Sequence, residues 1–198
     1  MTCEKHSLIK SLMFIVIASS LLAIFPGKAK GQAHWAQFRG PGGSGIAADG
    51  PALPVEFGPQ NNRVWKTAVG KGNSSPCIWG DRIFLTEYEN KTLHTICLDR
   101  NTGEILWKQS ATAERVERVH PINTPATPTA AADGERVYIY YGSYGLLCYD
   151  FSGKLVWEKR LPPPPVNMYG TASSPILAAG RLVFFVDKKE GSWLEALD

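Results

Sequence analysis

Asp99-Arg100-Asn101-Thr102-Gly103-Glu104-Ile105-Leu106-Trp107 is the stretch that decides the fold. It reads as an acid, a polar turn containing glycine, and an apolar strand that ends in tryptophan. Gly103 supplies the positive φ that such a turn needs, and Asp99 or Thr102 can accept nearby backbone N–H groups. An indole laid against a neighbouring unit buries about 150–250 Å². A second copy runs from Asp150-Phe151-Ser152-Gly153 to Trp157; it is one residue shorter and has Ser in place of Thr.

Three longer segments align around these turns: Ser75 to Lys108, Thr127 to Lys159, and Ser174 to Asp198. Each opens with Ser or Thr before Pro. A short apolar stretch follows, then a turn ending in Gly80-Asp81-Arg82, Gly134-Glu135-Arg136 or Gly180-Arg181. A β-rich run, a second turn and another apolar run then lead to an Asp. Pro76, Pro128 and Pro175, like Asp99, Asp150 and Asp198, recur at roughly 45 to 52 residues, which suits four short strands per unit. The runs near 83–88, 137–141 and 182–186 are almost continuously apolar, as expected for strands buried on both faces. Fourteen prolines, nineteen glycines and no apolar period of about 3.6 argue against helical repeats. The expected fold is all-β: a propeller of four-stranded blades, about two and three-quarter of them out of seven or eight.

The Asp-to-Trp turn resembles the tryptophan-docking motif of the pyrroloquinoline-quinone (PQQ)-like propeller family. Upstream, Trp35-Ala36-Gln37-Phe38-Arg39-Gly40-Pro41 resembles the opening of secreted PQQ-like proteins of planctomycete-type bacteria. The resemblance implies a structural docking role for Asp99, Thr102, Gly103 and Trp107, and for Asp150, Gly153 and Trp157. It also implies two kinds of relative: quinoprotein dehydrogenases and a non-enzymatic outer-membrane-assembly protein.

The chain begins like an export signal. Lys5 and Lys10 precede an uncharged apolar run from Leu12 to Phe25, and Gly31-Gln32-Ala33 offers small residues for cleavage after Ala33. The run is about 14 residues, short of the roughly 20 that span a bilayer as a helix. Three regions are therefore expected: a signal peptide over 1–33, an N-terminal segment over 34–73 with a ring-closing strand near 63–67, and blades over 74–198. A closed ring of seven or eight such blades would need roughly 320–400 residues. The localisation expected is exported, periplasmic or extracellular, with no membrane insertion after cleavage.

The signal region also holds the excess charge. The chain has 21 basic and 18 acidic residues. Lys5, Lys10, Lys28, Lys30 and Glu4 lie before residue 34, which leaves 17 of each sign. Nothing in that balance points to nucleic acid. Cys77, Cys97 and Cys148 are expected to be buried free thiols, with the repeat-equivalent Cys97 and Cys148 not paired to each other.

Two functional readings follow. Quinoproteins of the family use an Asp base and a calcium held by acidic and amide residues, and several carry adjacent cysteines. This chain has no adjacent cysteine pair, and the repeat itself regenerates Asp99 and Asp150, which suits turn acids better than a catalytic base. No catalytic residue, metal ligand or cofactor is therefore expected; PQQ with calcium belongs to the alternative, a quinoprotein oxidoreductase with its site mostly beyond residue 198. The favoured reading is a binding or scaffolding module for a protein or small-molecule ligand at one propeller face. Polar residues just before each first strand would face the channel mouth: Asn73 and Ser74, Asn123 and Thr124, then Tyr169, Thr171 and Ser173, with His120 in the connection ahead of the second blade. The same residue types also satisfy backbone groups where a chain enters a strand. Arg82, Arg136 and Arg181 are expected as solvated charges that discourage edge pairing, and Pro162 to Pro165 as a stiff spacer.

Overall fold

Strand placement follows the glycine turns. The computed structural model describes residues 34–47, 52–162, 169–188 and 191–198. The signal region and Pro163 to Pro165 lie outside the described residues. The first sheet holds β1 (Cys77–Trp79), β2 (Arg82–Glu89), β3 (Thr92–Asp99) and β4 (Ile105–Ala111). The second holds β5 (Ala131–Ala132), β6 (Arg136–Tyr141), β7 (Gly145–Asp150) and β8 (Leu155–Arg160). The third holds β9 (Ile176–Ala178), β10 (Arg181–Val186) and β11 (Trp193–Leu197). Each sheet is an antiparallel meander in chain order. The short first strands of successive sheets lie side by side, so the sheets fan out from a common axis as propeller blades.

The cores lie between blades, which explains the continuous apolar runs. Val137, Ile139 and Tyr141 of β6 pack with Cys77, Phe84 and Leu93 of the first blade. Tyr138 and Tyr140, on the opposite face of the same strand, pack with Leu182, Phe184 and Val186 of the third. A strand stacked on both sides must be apolar at every position. Where one side is less covered, alternation returns: in β10, Leu182, Phe184 and Val186 are buried while Phe185 is exposed. Cys77, Cys97 and Cys148 are all buried and free. Cys97 on β3 and Cys148 on β7 sit in two different inter-blade cores. Burial pushes both thiols up to about 12.

The recurring arginines have acidic neighbours. Each opens a second strand opposite the acid of the docking turn: Arg82 is in register with Asp99, and Arg136 with Asp150. Arg82 approaches Asp99 at 3.8 Å, and Arg181 reaches Asp198 at 2.9 Å. Arg and Asp recur together because they are cross-strand neighbours; the arginines stay solvent-accessible, as expected, and Arg82 and Arg181 each also approach an acid.

Among the described residues, 63–67 join no ladder, yet Trp65 docks as the repeat pattern expects. Its indole N–H donates to the Arg100 carbonyl at 2.9 Å, and its ring lies over Gly103. Among the described residues no helix is long and apolar enough to cross a membrane.

Candidate functional site

The blades expose two faces, and the turns on each have a different chemistry. The β1–β2 and β3–β4 turns share one face and are used for docking. Asp99 Oδ1 accepts the N–H groups of Asn101 and Thr102 at 2.8 and 2.9 Å, and the Gly103 N–H returns to the Asp99 carbonyl at 2.8 Å. These donors hold the Asp99 carboxyl below its ordinary range. Asp150 repeats the arrangement with Ser152 and Lys154, and its carboxyl is lowered too, first by the Ser152 hydroxyl. Gly103 has φ 74° and Gly153 φ 88°. A Cβ at Gly103 would lie 2.6 Å from the Trp65 ring, and one at Gly153 would lie 2.8 Å from Trp107. Glycine is thus needed twice over, for the backbone conformation and for the stacked indole.

The docking direction is now explicit. Trp107 reaches forward from the first blade to the turn of the second, donating to the Phe151 carbonyl at 3.0 Å. Trp65 makes the same contact one blade earlier, with Thr67 adding a hydroxyl bond to the Gly103 carbonyl at 2.6 Å. Trp157 packs beside Tyr138 in the core between the second and third blades. The missing residue of the second turn is absorbed within the turn. Both blades keep a bulge at the same place: Cys97 faces Trp107 while Leu98 faces Ile105, and Cys148 faces Trp157 while Tyr149 faces Leu155.

The opposite face carries the β2–β3 and β6–β7 turns and the long inter-blade connections. There a pocket of about 470 Å³ opens between the approach to β1 and the connection leading to β5. Asn73, Asn123 and Thr124 line it, together with Lys71, Tyr88 and Glu117. The Thr124 hydroxyl donates to Asn73 Oδ1 at 2.8 Å, and the Asn73 N–H donates to the Ala126 carbonyl at 2.9 Å. Asn123 Nδ2 donates to the Tyr169 carbonyl at 3.1 Å, which ties this connection to the next.

Glu117 makes the second tie. Its Oε2 accepts the Thr171 N–H at 2.8 Å and the Thr171 hydroxyl at 3.0 Å. Its Oε1 is buried and, among the described residues, no geometric hydrogen bond reaches it. Burial raises the Glu117 carboxyl above its ordinary range, against the opposing hydrogen bonds from Thr171 and Ser143. Nearby, Glu87 is almost fully buried on β2, where the other blades have Tyr141 and Val186. Lys108 approaches Glu87 Oε2 at 2.7 Å, and the Gly70 N–H donates to Oε1 at 2.7 Å. That carboxylate is consumed in holding the N-terminal segment to the first blade.

The remaining candidates serve different ends. Ser74 Oγ accepts the Thr86 N–H at 3.1 Å, and Ser173 Oγ donates to the Phe185 carbonyl at 2.7 Å. Both satisfy strand backbone groups. His120 is exposed, outside the pocket lining, with Nδ1 3.4 Å from the Ile122 N–H. Tyr169 is exposed and contributes its carbonyl. Sequence reasoning passed over Lys71, Tyr88 and Glu117. Glu117 lies with Glu114 in a charged connection that carries no repeat to mark either acid. Among the described residues no three His, Cys, Asp or Glu side chains are grouped to hold a metal. Thr171 engages Glu117, and Lys108 with the Gly70 N–H engages Glu87.

Residues 94–198 match the family model described as outer membrane protein assembly factor BamB. No curated protein sequence matches the chain. Among solved structures, BamB from Moraxella catarrhalis is similar over 68% of this chain and 36% of its own, at 17% identity and a TM-score of 0.44. A europium-containing methanol dehydrogenase is similar over 66% of this chain and 23% of its own, at 13% identity and a TM-score of 0.46. The chain therefore spans well under two thirds of the length of either structure.

Proposed function

Since the chain belongs to the PQQ-like propeller repeat family, we propose that it is an exported binding or scaffolding module that takes its ligand on the loop face. The observation that carries this reading is the pocket formed by Asn73, Asn123, Thr124, Lys71 and Glu117 on that face. Its walls are connections joined by Tyr88 of β2, above the inter-blade cores; loops presented by a packed scaffold are the usual ground for recognition. The mixed lining offers a cation, a carboxylate and amide groups to a protein segment or small polar ligand. Export rests on the basic, apolar and small-residue order of residues 1–33. A periplasmic or extracellular site of action follows from that order.

The competing reading is quinone-dependent oxidation, and one experiment separates the two. The full-length protein is incubated with PQQ and calcium, desalted, and assayed for retained quinone absorbance and alcohol-dependent dye reduction. The binding reading expects neither signal. Quinone retained near one equivalent, with dye reduction, would replace it with the oxidoreductase.

A further inference from the structure

The innermost strand of a propeller blade leaves one edge unpaired, and its N–H groups point toward the axis. Ile78, Ala132 and Leu177 are equivalent residues of the three blades, opposite Ile83, Val137 and Leu182 respectively. Each inner N–H has an acceptor, and the three acceptors are consecutive in sequence. The Ile78 N–H donates to the Trp35 carbonyl at 2.9 Å, and Ala132 donates to the Ala36 carbonyl at 2.9 Å. Leu177 donates to Gln37 Oε1 at 3.1 Å. The Trp35 N–H completes the first pair by donating to the Ile78 carbonyl at 2.8 Å. We propose that the inner edges of the blades form a groove for an extended peptide, and that residues 35–37 are its resident ligand, one acceptor per blade.

The flanking residues are built for this. The Gly40 N–H turns back to the Gln37 carbonyl at 2.9 Å, and a Cβ on Gly40 would lie 2.6 Å from the Trp35 ring. Trp35 therefore folds onto Gly40, and the peptide arrives at the axis already bent. His34 stacks on Trp79 with ring centroids 4.0 Å apart, and its Nδ1 lies 3.4 Å from the Gly80 N–H. Trp79 and Gly80 mark the docking-turn end of β1, so the peptide lies across that end of the axis. It lies toward the end opposite the loop-face pocket. This inference goes beyond the proposed function and stands without it. Residues 35–37 thereby acquire a role as a segment bound in cis across the inner strands, held by backbone groups as captured peptides are held in trans.

The test is amide hydrogen exchange on the full-length protein, resolved to single residues. Gln37→Ala removes the acceptor of one blade only. It should speed exchange at Leu177 by about tenfold while Ile78 and Ala132 keep their protection. Gln37→Glu keeps an acceptor oxygen at the same reach and should leave Leu177 protected. Gly40→Ala displaces the Trp35 ring and should speed exchange at all three amides, with Ile96 of the central strand β3 unchanged throughout. Unaltered exchange at Leu177 in Gln37→Ala, or equal loss at Leu177 in Ala and Glu variants, would overturn the proposal.

Discussion

Gly103 shows how much one residue settles here. Its φ of 74° disfavours any side chain, and the Trp65 ring leaves no room for a Cβ. Gly180 has nearly the same φ, 76°, but open space around it. Gly180→Ala should therefore cost about 1 kcal/mol for backbone strain alone, and Gly103→Ala about 2–4 kcal/mol, since it also ejects an indole. Reversible denaturant melts of the full-length protein measure the difference; equal costs would mean that the stacked indole contributes nothing. Glu117 makes a second prediction at this scale. Its carboxyl is raised in the fold by burial, so folding is favoured by its protonated form. That contribution is full below the unfolded value of about 4.3 and is lost as pH rises through the raised folded value. Glu117→Gln should flatten the fall in stability that sets in as pH rises above about 4.3, the unfolded value. An unchanged pH profile would show that Glu117 titrates as it does in the unfolded chain. Asp99 and Asp150 have the opposite sign: their lowered carboxyls stabilise above the ordinary Asp range and cease to do so as pH falls through the lowered values.

The turn and its strand form the next scale, and here the sequence was half legible. The acid, the glycine and the tryptophan were readable because each answers a local demand: backbone donors, positive φ, and an apolar ring. The bulge was not. Ile105-Leu106 and Leu155-Val156 look like ordinary strand residues, yet one residue of each pair has no partner across the ladder. That extra residue decides which face the indole takes, because a shift by one position turns a strand side chain over. Two deletions should therefore behave differently. Removing Leu106 should cost as much as Trp107→Ala, about 3–5 kcal/mol, because both undock the indole. Removing Asn101 shortens the turn to the length the second blade already has, and should cost less than about 1 kcal/mol. Equal losses in the two deletions, read from the same melts, would place the register in the turn rather than in the bulge. The arginines teach the same lesson. Arg82 and Arg181 read as free charges because their partner acids lie far along the chain, and only the meander brings Arg82 opposite Asp99 and Arg181 beside Asp198.

Across the whole molecule, repetition was legible and its exceptions were not. The period fixed the blades, and the continuous apolar runs followed from cores lying on both sides of β6. The loop-face site could be approached only by position. Asn73, Asn123 and Thr124 do meet in one pocket, whereas Ser74 and Ser173 are spent on strand backbone. Nothing periodic marked Glu117, and no ladder pattern marked Trp35 to Gln37, whose bonds run through carbonyls and a single amide side chain. The two faces of the propeller are thereby divided: docking turns and the peptide of residues 35–37 lie at one end, and the pocket opens at the other. Site-specific photocrosslinking of the full-length protein in its native cells tests whether recognition belongs to the pocket face. Ile122 is 84% exposed beside the pocket, and Lys154 lies exposed on a docking turn of the opposite face. A crosslinker at Ile122 should give a discrete adduct that is lost when Asn73 and Asn123 are both changed to Ala, and a crosslinker at Lys154 should give none. Adducts from Lys154, or an Ile122 adduct indifferent to the pocket residues, would contradict recognition at the pocket face.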